Sequence, residues 1–407
     1  MYYPRAMSAS CLAAAEQFPV LLLTGPRQVG KTTLLQRLAG KQRRYVTLDD
    51  PTLRALAQSD PALFLQRYEP PVLIDEIQYA PQLLPLIKMM VDERRHPGLF
   101  WLTGSQQFHL MKGISETLAG RVAVLSLLGF SNRERRRRAA DLPPFLPTEA
   151  CLRARERAAP TLTLKRAYGD IWLGGFPALV TKAVRDRDLF FGSYLQTYLQ
   201  RDVKDLAQVG NEAAFLRFVK ACAARTGQML NLTELARDVD IALNTAKNWL
   251  SILQTSGQVY LLQPYHTNVT KRLVKTPKLY FLDTGLCAYL TGWSTPETLE
   301  AGAMGGASLE TYVVAEILKS WWNHGRQPPA YYYRDKDGRE IDMLLVQDRK
   351  LHPVEIKKSA SPRREWVQAF AALARLQPRP AAGGVVCLCR ERVPLTDAVT
   401  AIPVGLL

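Results

Sequence analysis

The sequence predicts an α/β protein: a parallel sheet first, then a helical middle, then a small α+β domain. Three observations predict it. Short apolar runs at Val20–Leu23, Tyr45–Leu48, Val72–Ile74, Phe100–Leu102 and Val122–Leu127 alternate with stretches long enough for crossover helices, which is the pattern of a parallel sheet covered on both faces. A glycine-bearing loop closes the first run and opens a helix. Beyond residue 227 the pattern changes to paired short helices with two strands, and then to a long helix, a hairpin and a further strand.

The 407 residues suggest two to four domains at about 100–200 residues each. The 47% hydrophobic content is ample for packed cores and argues against a disordered chain. A formal net charge of +16 favours a polyanionic partner: nucleic acid, a nucleotide or an acidic lipid face. The longest apolar runs, such as Val122–Phe130, fall far short of a membrane span. Glu16 and Pro19 interrupt the only stretch resembling a secretory leader. The six cysteines are scattered and the five histidines lack metal-ligand spacing. The expectation is a reduced, cytoplasmic chain with no structural zinc and no membrane partner.

Residues 1–130 carry the first functional pattern. Gly25-Pro26-Arg27-Gln28-Val29-Gly30-Lys31-Thr32-Thr33 stands between a strand and the expected helix Leu34–Leu38, and satisfies GxxxxGK[ST] in the context that motif requires. Its glycines let backbone N–H groups curl around phosphate oxygens at a helix N-terminus. Lys31 is then the cation for the β and γ phosphates, the Thr32 hydroxyl a Mg²⁺ ligand, and Thr33 a loop cap. The run Val72–Ile74 ends in Asp75 and Glu76, a second Mg²⁺ anchor and a general base for the attacking water. Thr103 and Ser105 end the next run, where a polar group serves as a sensor between the γ-phosphate and Asp75, or else simply makes a turn. Arg121 reads as an arginine finger, for its own or a neighbouring subunit, or as a surface arginine. Asp49 and Asp50 either border the same crevice or cap the helix that Pro51 opens.

Residues 131–160 break the alternation. Arg133, Arg135–Arg138, Arg153, Arg155 and Arg157 are interleaved with Pro143, Pro144 and Pro147, the composition of a basic linker or insertion, either solvated or touching a polyanion. Residues 161–227 read as a helical connector that includes a helix Tyr194–Leu206. In 228–290, Asn231 starts a short helix, Leu232–Arg237. A turn leads to the helix Thr245–Thr255, and strands Val259–Leu262 and Lys278–Leu282 follow. That is the order of a winged helix-turn-helix, with Thr245, Lys247 and Asn248 offered to a groove and Lys271, Arg272 and Lys275 in the wing. So few polar side chains point to backbone or shape recognition of DNA; a lid or protein-contact module is the alternative.

The last part, 300–407, follows the Gly-rich stretch Ala301–Ala307. It opens with a helix at Leu309–Leu318 that carries Glu310, then gives strands Tyr331–Arg334, Arg339–Val346 and Pro353–Lys358 with a turn at Asp337-Gly338. Glu355 and Lys357 are two apart on a strand and share a face, and Asp342 sits on the neighbouring strand. An Asp with Glu-x-Lys on adjacent strands is the constellation of restriction-endonuclease-like nucleases. There, carboxylates hold a divalent metal and the lysine orients the nucleophile or offsets phosphate charge. Glu310 is a further candidate ligand. A solvated cross-strand charge pair is the plainer reading.

Tyr3-Pro4-Arg5, the Leu23-to-Thr33 loop, Leu48-Asp-Asp-Pro51, Leu73-to-Gln78, Leu102-to-Ser105 and Leu118-to-Arg121 together resemble the prokaryotic AAA-type P-loop ATPases of the archaeal-ATPase branch. These carry a C-terminal domain of unknown function. The likeness extends to Gly174-Gly-Phe-Pro177, Tyr198-Leu-Gln-Arg201-Asp202 and Phe281-to-Gly285, hence over nearly the whole chain. It implies ATP binding and hydrolysis, a winged-helix region and a nuclease-like C-terminal fold. The expectation is a Mg²⁺-dependent, DNA-associated ATPase, with metal-dependent DNA cleavage by the C-terminal domain using Mg²⁺ or Mn²⁺. A homo-oligomer is compatible with it. The rivals are a nucleotide-dependent signalling switch with a non-cutting C-terminal module, and a remodeller of branched DNA.

Overall fold

A computed structural model describes residues 2–104, 114, 117–138, 142–157, 162–198, 212–266 and 276–407. Five strands, β1 (Val20–Thr24), β2 (Arg44–Thr47), β3 (Val72–Asp75), β4 (Phe100–Thr103) and β5 (Val122–Ser126), form an all-parallel sheet in the order β2-β3-β4-β1-β5. β1, β3 and β4 are buried along their whole length, since each has a strand on both sides and helices over both faces. β2 is at an edge and exposes Arg44 and Tyr45. The order matters for function. β4 separates β1 from β3, so whatever ends β4 stands between the loop after β1 and the acids after β3.

The helix after β1 spans Lys31–Ala39, longer than the expected Leu34–Leu38, because it begins inside the phosphate motif at the left-handed Gly30. Asp50 settles its two readings as a helix cap: its carboxylate accepts from the Thr52 and Leu53 backbone N–H groups, with Pro51 at the first helical position.

The expected basic linker is corrected for the described part of 131–160. Arg133, Arg135, Arg136 and Arg155 are packed into the protein, while Arg137, Arg138, Arg153 and Arg157 are exposed. Arg135 and Arg136 both pair with Asp170. Buried Arg155 donates to the carbonyls of Leu406 (3.2 Å) and Pro143 (2.9 Å). Glu134 is buried and accepts from Arg5 at 2.9 Å, while the Asn132 N–H reaches Glu316 across 2.7 Å. Arginine suits this role, because its apolar stem packs while its fork reaches carbonyls and carboxylates in several directions. The charge run is thus a clamp between the first sheet and the C-terminal part.

The helical middle contains helices Leu164–Leu173 and Arg187–Tyr198. The second helix starts seven residues before the expected Tyr194, and positions 199–211 lie outside the described residues, Arg201 and Asp202 among them. Helix Glu212–Ala224 is followed by β6 (Gln228–Met229), helices Leu232–Asp238 and Leu243–Thr255, β7 (Val259–Leu262) and β8 (Lys278–Phe281). The three strands make an antiparallel sheet in the order β6-β8-β7. Ala246, Leu250 and Leu253 are buried as expected, joined by Trp249 and Ile252.

The C-terminal sheet runs β13 (Val393–Thr396), β14 (Val399–Pro403), β12 (Gly383–Cys387), β11 (Lys350–Lys357), β10 (Glu340–Gln347), β9 (Ala330–Arg334). Its principal helix is Gly305–Trp322, which absorbs Gly305 and Gly306 of the expected Gly-rich break and is buried on nearly all sides. The six cysteines are free and buried.

Candidate functional site

The phosphate loop is built by backbone conformation first. Gly25 has φ +135° and lies so close to Leu127 that a Cβ would meet its carbonyl oxygen at 2.0 Å. Gly30, at φ +91°, turns the chain into the helix. Arg5 braces the loop from outside by donating to the Val29 carbonyl at 2.8 Å and to Leu128 at 2.6 Å. Pro26 and Val29 are buried, Arg27 is half-buried, Gln28 is exposed with φ +60°, and Thr33 is exposed. The Lys31 ammonium is buried and donates to the Gly25 and Pro26 carbonyls at 2.9 and 2.8 Å, so it is folded back onto its own loop.

Beside it, Asp75 is the hub of a hydroxyl shell. Thr32 donates to its Oδ1 at 2.8 Å, Thr103 donates to the same oxygen, and Tyr45 donates to Oδ2 at 3.1 Å. The Thr103 hydroxyl also accepts the Glu76 N–H at 3.2 Å, and Gln78 donates to the Glu76 carboxylate. Glu76 is held in a left-handed conformation at φ +58° immediately after the strand. Burial, and next the Asp75 charge, push the Tyr45 phenol up to about 12, so it stays a donor. The structure therefore brings Lys31, Thr32, Asp75, Glu76 and Thr103 together at one sheet edge. The hydroxyl donors to Asp75 from Thr32, Thr103 and Tyr45 are neutral. A hydroxyl can stay beside a divalent cation, so Thr32 and Asp75 fit a Mg²⁺ site of the kind nucleotide chemistry requires.

Other expected residues fall elsewhere. Ser105 lies outside the described residues, as do Lys271, Arg272 and Lys275. Arg121 precedes β5 and makes a two-pronged pair with Asp92, at 2.5 and 3.1 Å. Its carbonyl accepts from Val20, the first residue of β1, so it stands at the sheet edge opposite the phosphate loop, a full strand or about 16 Å away. The expectation of a finger for this chain's own nucleotide is thereby corrected. Lys247 and Asn248 are exposed on helix Leu243–Thr255 and Thr245 is half-buried. Sequence reasoning missed Tyr45, Gln78 and Gly257. Gly257, with φ +68°, follows that helix so closely against the phosphate loop that a Cβ would meet Pro26 at 3.0 Å.

The C-terminal acids also converge. The register Met343↔Val354 carries Asp342 abreast of Glu355, and Asp342 Oδ2 accepts the Ile356 N–H at 2.8 Å. A register shift between Ile341 and Leu344 places one extra β10 residue against β9, which re-aims this stretch of the strand. Lys357 donates to Glu355 Oε1 at 2.6 Å, leaving buried Glu355 Oε2 without a hydrogen-bond partner. Burial, reinforced by Asp342, pushes the Glu355 carboxyl up to about 7; burial raises Glu310 and Asp342 as well.

Two residues absent from the expected set decide what this cluster is. Lys278, on β8, reaches Glu340 at 2.5 Å, Glu310 at 3.3 Å and Asp342 at 3.9 Å, and its side chain is only 4% exposed. Burial opposes its charge, but Glu310, Asp342 and Glu340 outweigh that and hold its pKa above the usual lysine value. Tyr280 donates to Glu310 at 2.6 Å. Among the described residues no three His, Cys, Asp or Glu side chains are disposed to hold a metal ion. The expected metal set of Asp342, Glu355 and Glu310 is corrected accordingly. Its oxygens are suited to Mg²⁺ or Mn²⁺, but an ammonium stands among them.

An uncharacterized protein of Mycobacterium tuberculosis is 32% identical over 98% of this chain and 83% of its own length, and one of Mycobacterium bovis matches equally. The family described as "AAA domain" matches residues 17–135, and a domain of unknown function (DUF4143) matches 305–407. The chain belongs to the prokaryotic AAA-type P-loop ATPases with a C-terminal domain of unknown function. A second domain of unknown function (DUF8612) covers residues 167–297 of this AAA-type chain. Among solved structures, a Walker-type ATPase of Pyrococcus abyssi is 16% identical over 70% of this chain and 94% of its own, with a TM-score of 0.42. The RuvB Holliday junction branch migration motor of Thermotoga maritima is 19% identical over 63% and 85%, with a TM-score of 0.28. Membership implies ATP with a divalent metal at the first site. No helix among the described residues is long and apolar enough to cross a membrane.

Proposed function

We propose that this protein hydrolyses ATP with Mg²⁺ at the edge formed by β1, β4 and β3, and that it does so in association with DNA. The observation that carries the first half is the hydrogen-bond chain Thr32–Asp75–Thr103–Glu76 beside Lys31. Bound Mg²⁺ supplies charge neutralisation on the phosphates. Lys31 exchanges its two carbonyl partners for phosphate oxygens. Thr32 and Asp75 orient the metal side, Thr103 holds the Asp75–Glu76 corner, and Glu76 takes the proton of the attacking water.

The second half rests on helices Leu232–Asp238 and Leu243–Thr255 with their three-stranded sheet, which follow winged-helix order and expose Lys247 and Asn248. DNA is met through backbone or shape, with the surplus positive charge as attraction. ATP turnover is measured with duplex, single-stranded and branched DNA, and with Lys31→Ala as control. Stimulation of wild type with none in Lys31→Ala is expected. If no DNA form binds or stimulates, the DNA half is wrong and the signalling switch takes its place.

Lys278 favours one feature of that rival: as arranged, the C-terminal cluster is a closed ion-pair core. DNA cleavage by Asp342, Glu355 and Lys357 belongs to an arrangement in which that core has opened.

A further inference from the structure

We propose that the cleft lined by Arg135, Arg136, Arg138 and Arg166 is a second DNA contact, which grips the phosphodiester backbone of a duplex beside the phosphate loop. This rests on the DNA half of the reading above and adds a place where the partner is held.

The cleft has a volume of about 430 Å³ and lies between the chain after β5 and helix Leu164–Leu173. Its described lining sets four arginines against one acid, Asp170. The arginines form two layers. Arg135 and Arg136 make the floor, with side chains 11% and 8% exposed, and each gives one nitrogen to Asp170. Arg135 also donates to the Gly174 carbonyl, and Arg136 to Asn132. One carboxylate cannot neutralise two guanidiniums, so the floor keeps a positive charge. The Nε of each is buried without a hydrogen-bond partner. Arg138 and Arg166 make the rim and are exposed. A phosphate oxygen meets the rim donors directly, above a floor whose charge salt screens poorly.

The positive surface extends past the room of a single anion. The segments that wall the cleft also expose Arg137, Lys165 and Lys182. A row of cations of this kind follows a backbone and carries no sequence information. It complements the winged-helix region, where Lys247 and Asn248 offer few contacts to base edges.

The position of the cleft ties it to the ATP site. The short helix Pro177–Val180 spans the two. Val180 lines the cleft, and Pro177 lies against the phosphate loop, where a Cβ on Gly30 would stand 4.0 Å from its Cγ. Arg135 holds Gly174 just before this helix, and the Phe130 N–H donates to the Gly175 carbonyl at 2.7 Å. DNA seated on the arginines therefore bears on an element one helical turn from the phosphate loop.

The experiment is binding of a labelled duplex of about 30 base pairs to the full chain, followed by fluorescence anisotropy from roughly 50 to 200 mM KCl. Arg138→Gln and Arg166→Gln are each expected to lower the slope of log K against log salt by about 0.9. The double variant loses about twice that, and its affinity at the lowest salt falls roughly tenfold or more. Two unrelated duplex sequences lose equally. Both side chains are exposed, so the fold and the turnover without DNA are retained, while the DNA-stimulated part of turnover falls. The control is Arg153→Gln, which removes an exposed arginine of the same run from outside the cleft lining and keeps the wild-type slope. Wild-type slope and affinity in the double variant overturn the cleft contact and leave the winged-helix contact standing. An equal loss of slope in Arg153→Gln also overturns it, because the attraction is then diffuse net charge. Absence of DNA binding by the wild type overturns the DNA reading itself.

Discussion

The two acidic centres of this chain use the same side chains and come to opposite states. At the phosphate loop, Asp75 is partnered by the hydroxyls of Thr32, Thr103 and Tyr45. At the C-terminal cluster, Glu310, Glu340 and Asp342 are partnered by the Lys278 ammonium. Neutral donors leave the full carboxylate charge available to a metal. A cation cancels that charge. The lesson is that acid spacing alone does not make a metal site; the charge of what the acids already hold decides it.

The largest effect expected is on the open side. Glu76→Gln removes the base while leaving Lys31, Thr32 and Asp75 to bind nucleotide, so kcat falls about 10²–10⁴-fold with ATP affinity retained, as stopped-time hydrolysis and equilibrium binding will show. Unchanged turnover would transfer the base role to another residue.

A matched tyrosine pair sharpens the comparison next. Tyr280→Phe removes the hydroxyl of fully buried Tyr280 and with it a donor to half-buried Glu310, and is expected to cost about 1–3 kcal/mol in urea unfolding. Tyr45→Phe removes an exposed tyrosine's hydroxyl from Asp75, which keeps the Thr32 and Thr103 donors, so it costs less than about 1 kcal/mol and shows itself in ATP turnover instead. Equal stability losses would show the two centres to be alike in rigidity.

The smallest effect is at Arg121. Arg121→Ala breaks an exposed, solvent-screened pair with Asp92 and is expected to leave the urea unfolding midpoint close to that of wild type. Turnover at dilutions where the chain is monomeric stays at wild-type level. A loss that grows with protein concentration would instead place Arg121 at a neighbouring subunit's nucleotide.

What was legible in advance follows from how local each signal is. The phosphate loop is one contiguous stretch whose glycines, lysine and threonine act within a single turn, so spacing reveals it. Asp342, Glu355 and Lys357 were legible because strand alternation puts alternate residues on one face. Tyr45, Glu340 and Tyr280 carry no such mark. Gly174 and Gly285 stood out only as part of the family resemblance. Their reason is a backbone-on-backbone approach in which a Cβ on Gly285 would meet the Gly174 Cα at 2.6 Å, with the Gly175 N–H donating to Asp283 at 2.7 Å. The arginines of 133–155 misled for the same reason, since a charge run looks solvated until its carbonyl and carboxylate partners, far away in sequence, are known.

By itself the sequence determined the parallel sheet, the phosphate loop with its strand-end acids, and the two strands that bring Asp342 beside Glu355. These depend on period and spacing, which are properties of neighbouring residues. Only the tertiary structure decided that Arg121 faces away from its own nucleotide site, that four arginines of the basic run pack inward while the others stay exposed, and that Lys278 sits among the C-terminal acids. Each of those depends on polar groups meeting across long stretches of chain, 29 residues from Arg121 to Asp92 and 184 from Asn132 to Glu316. Electrostatic partnership follows distance in space, and that distance exists only once the chain has folded.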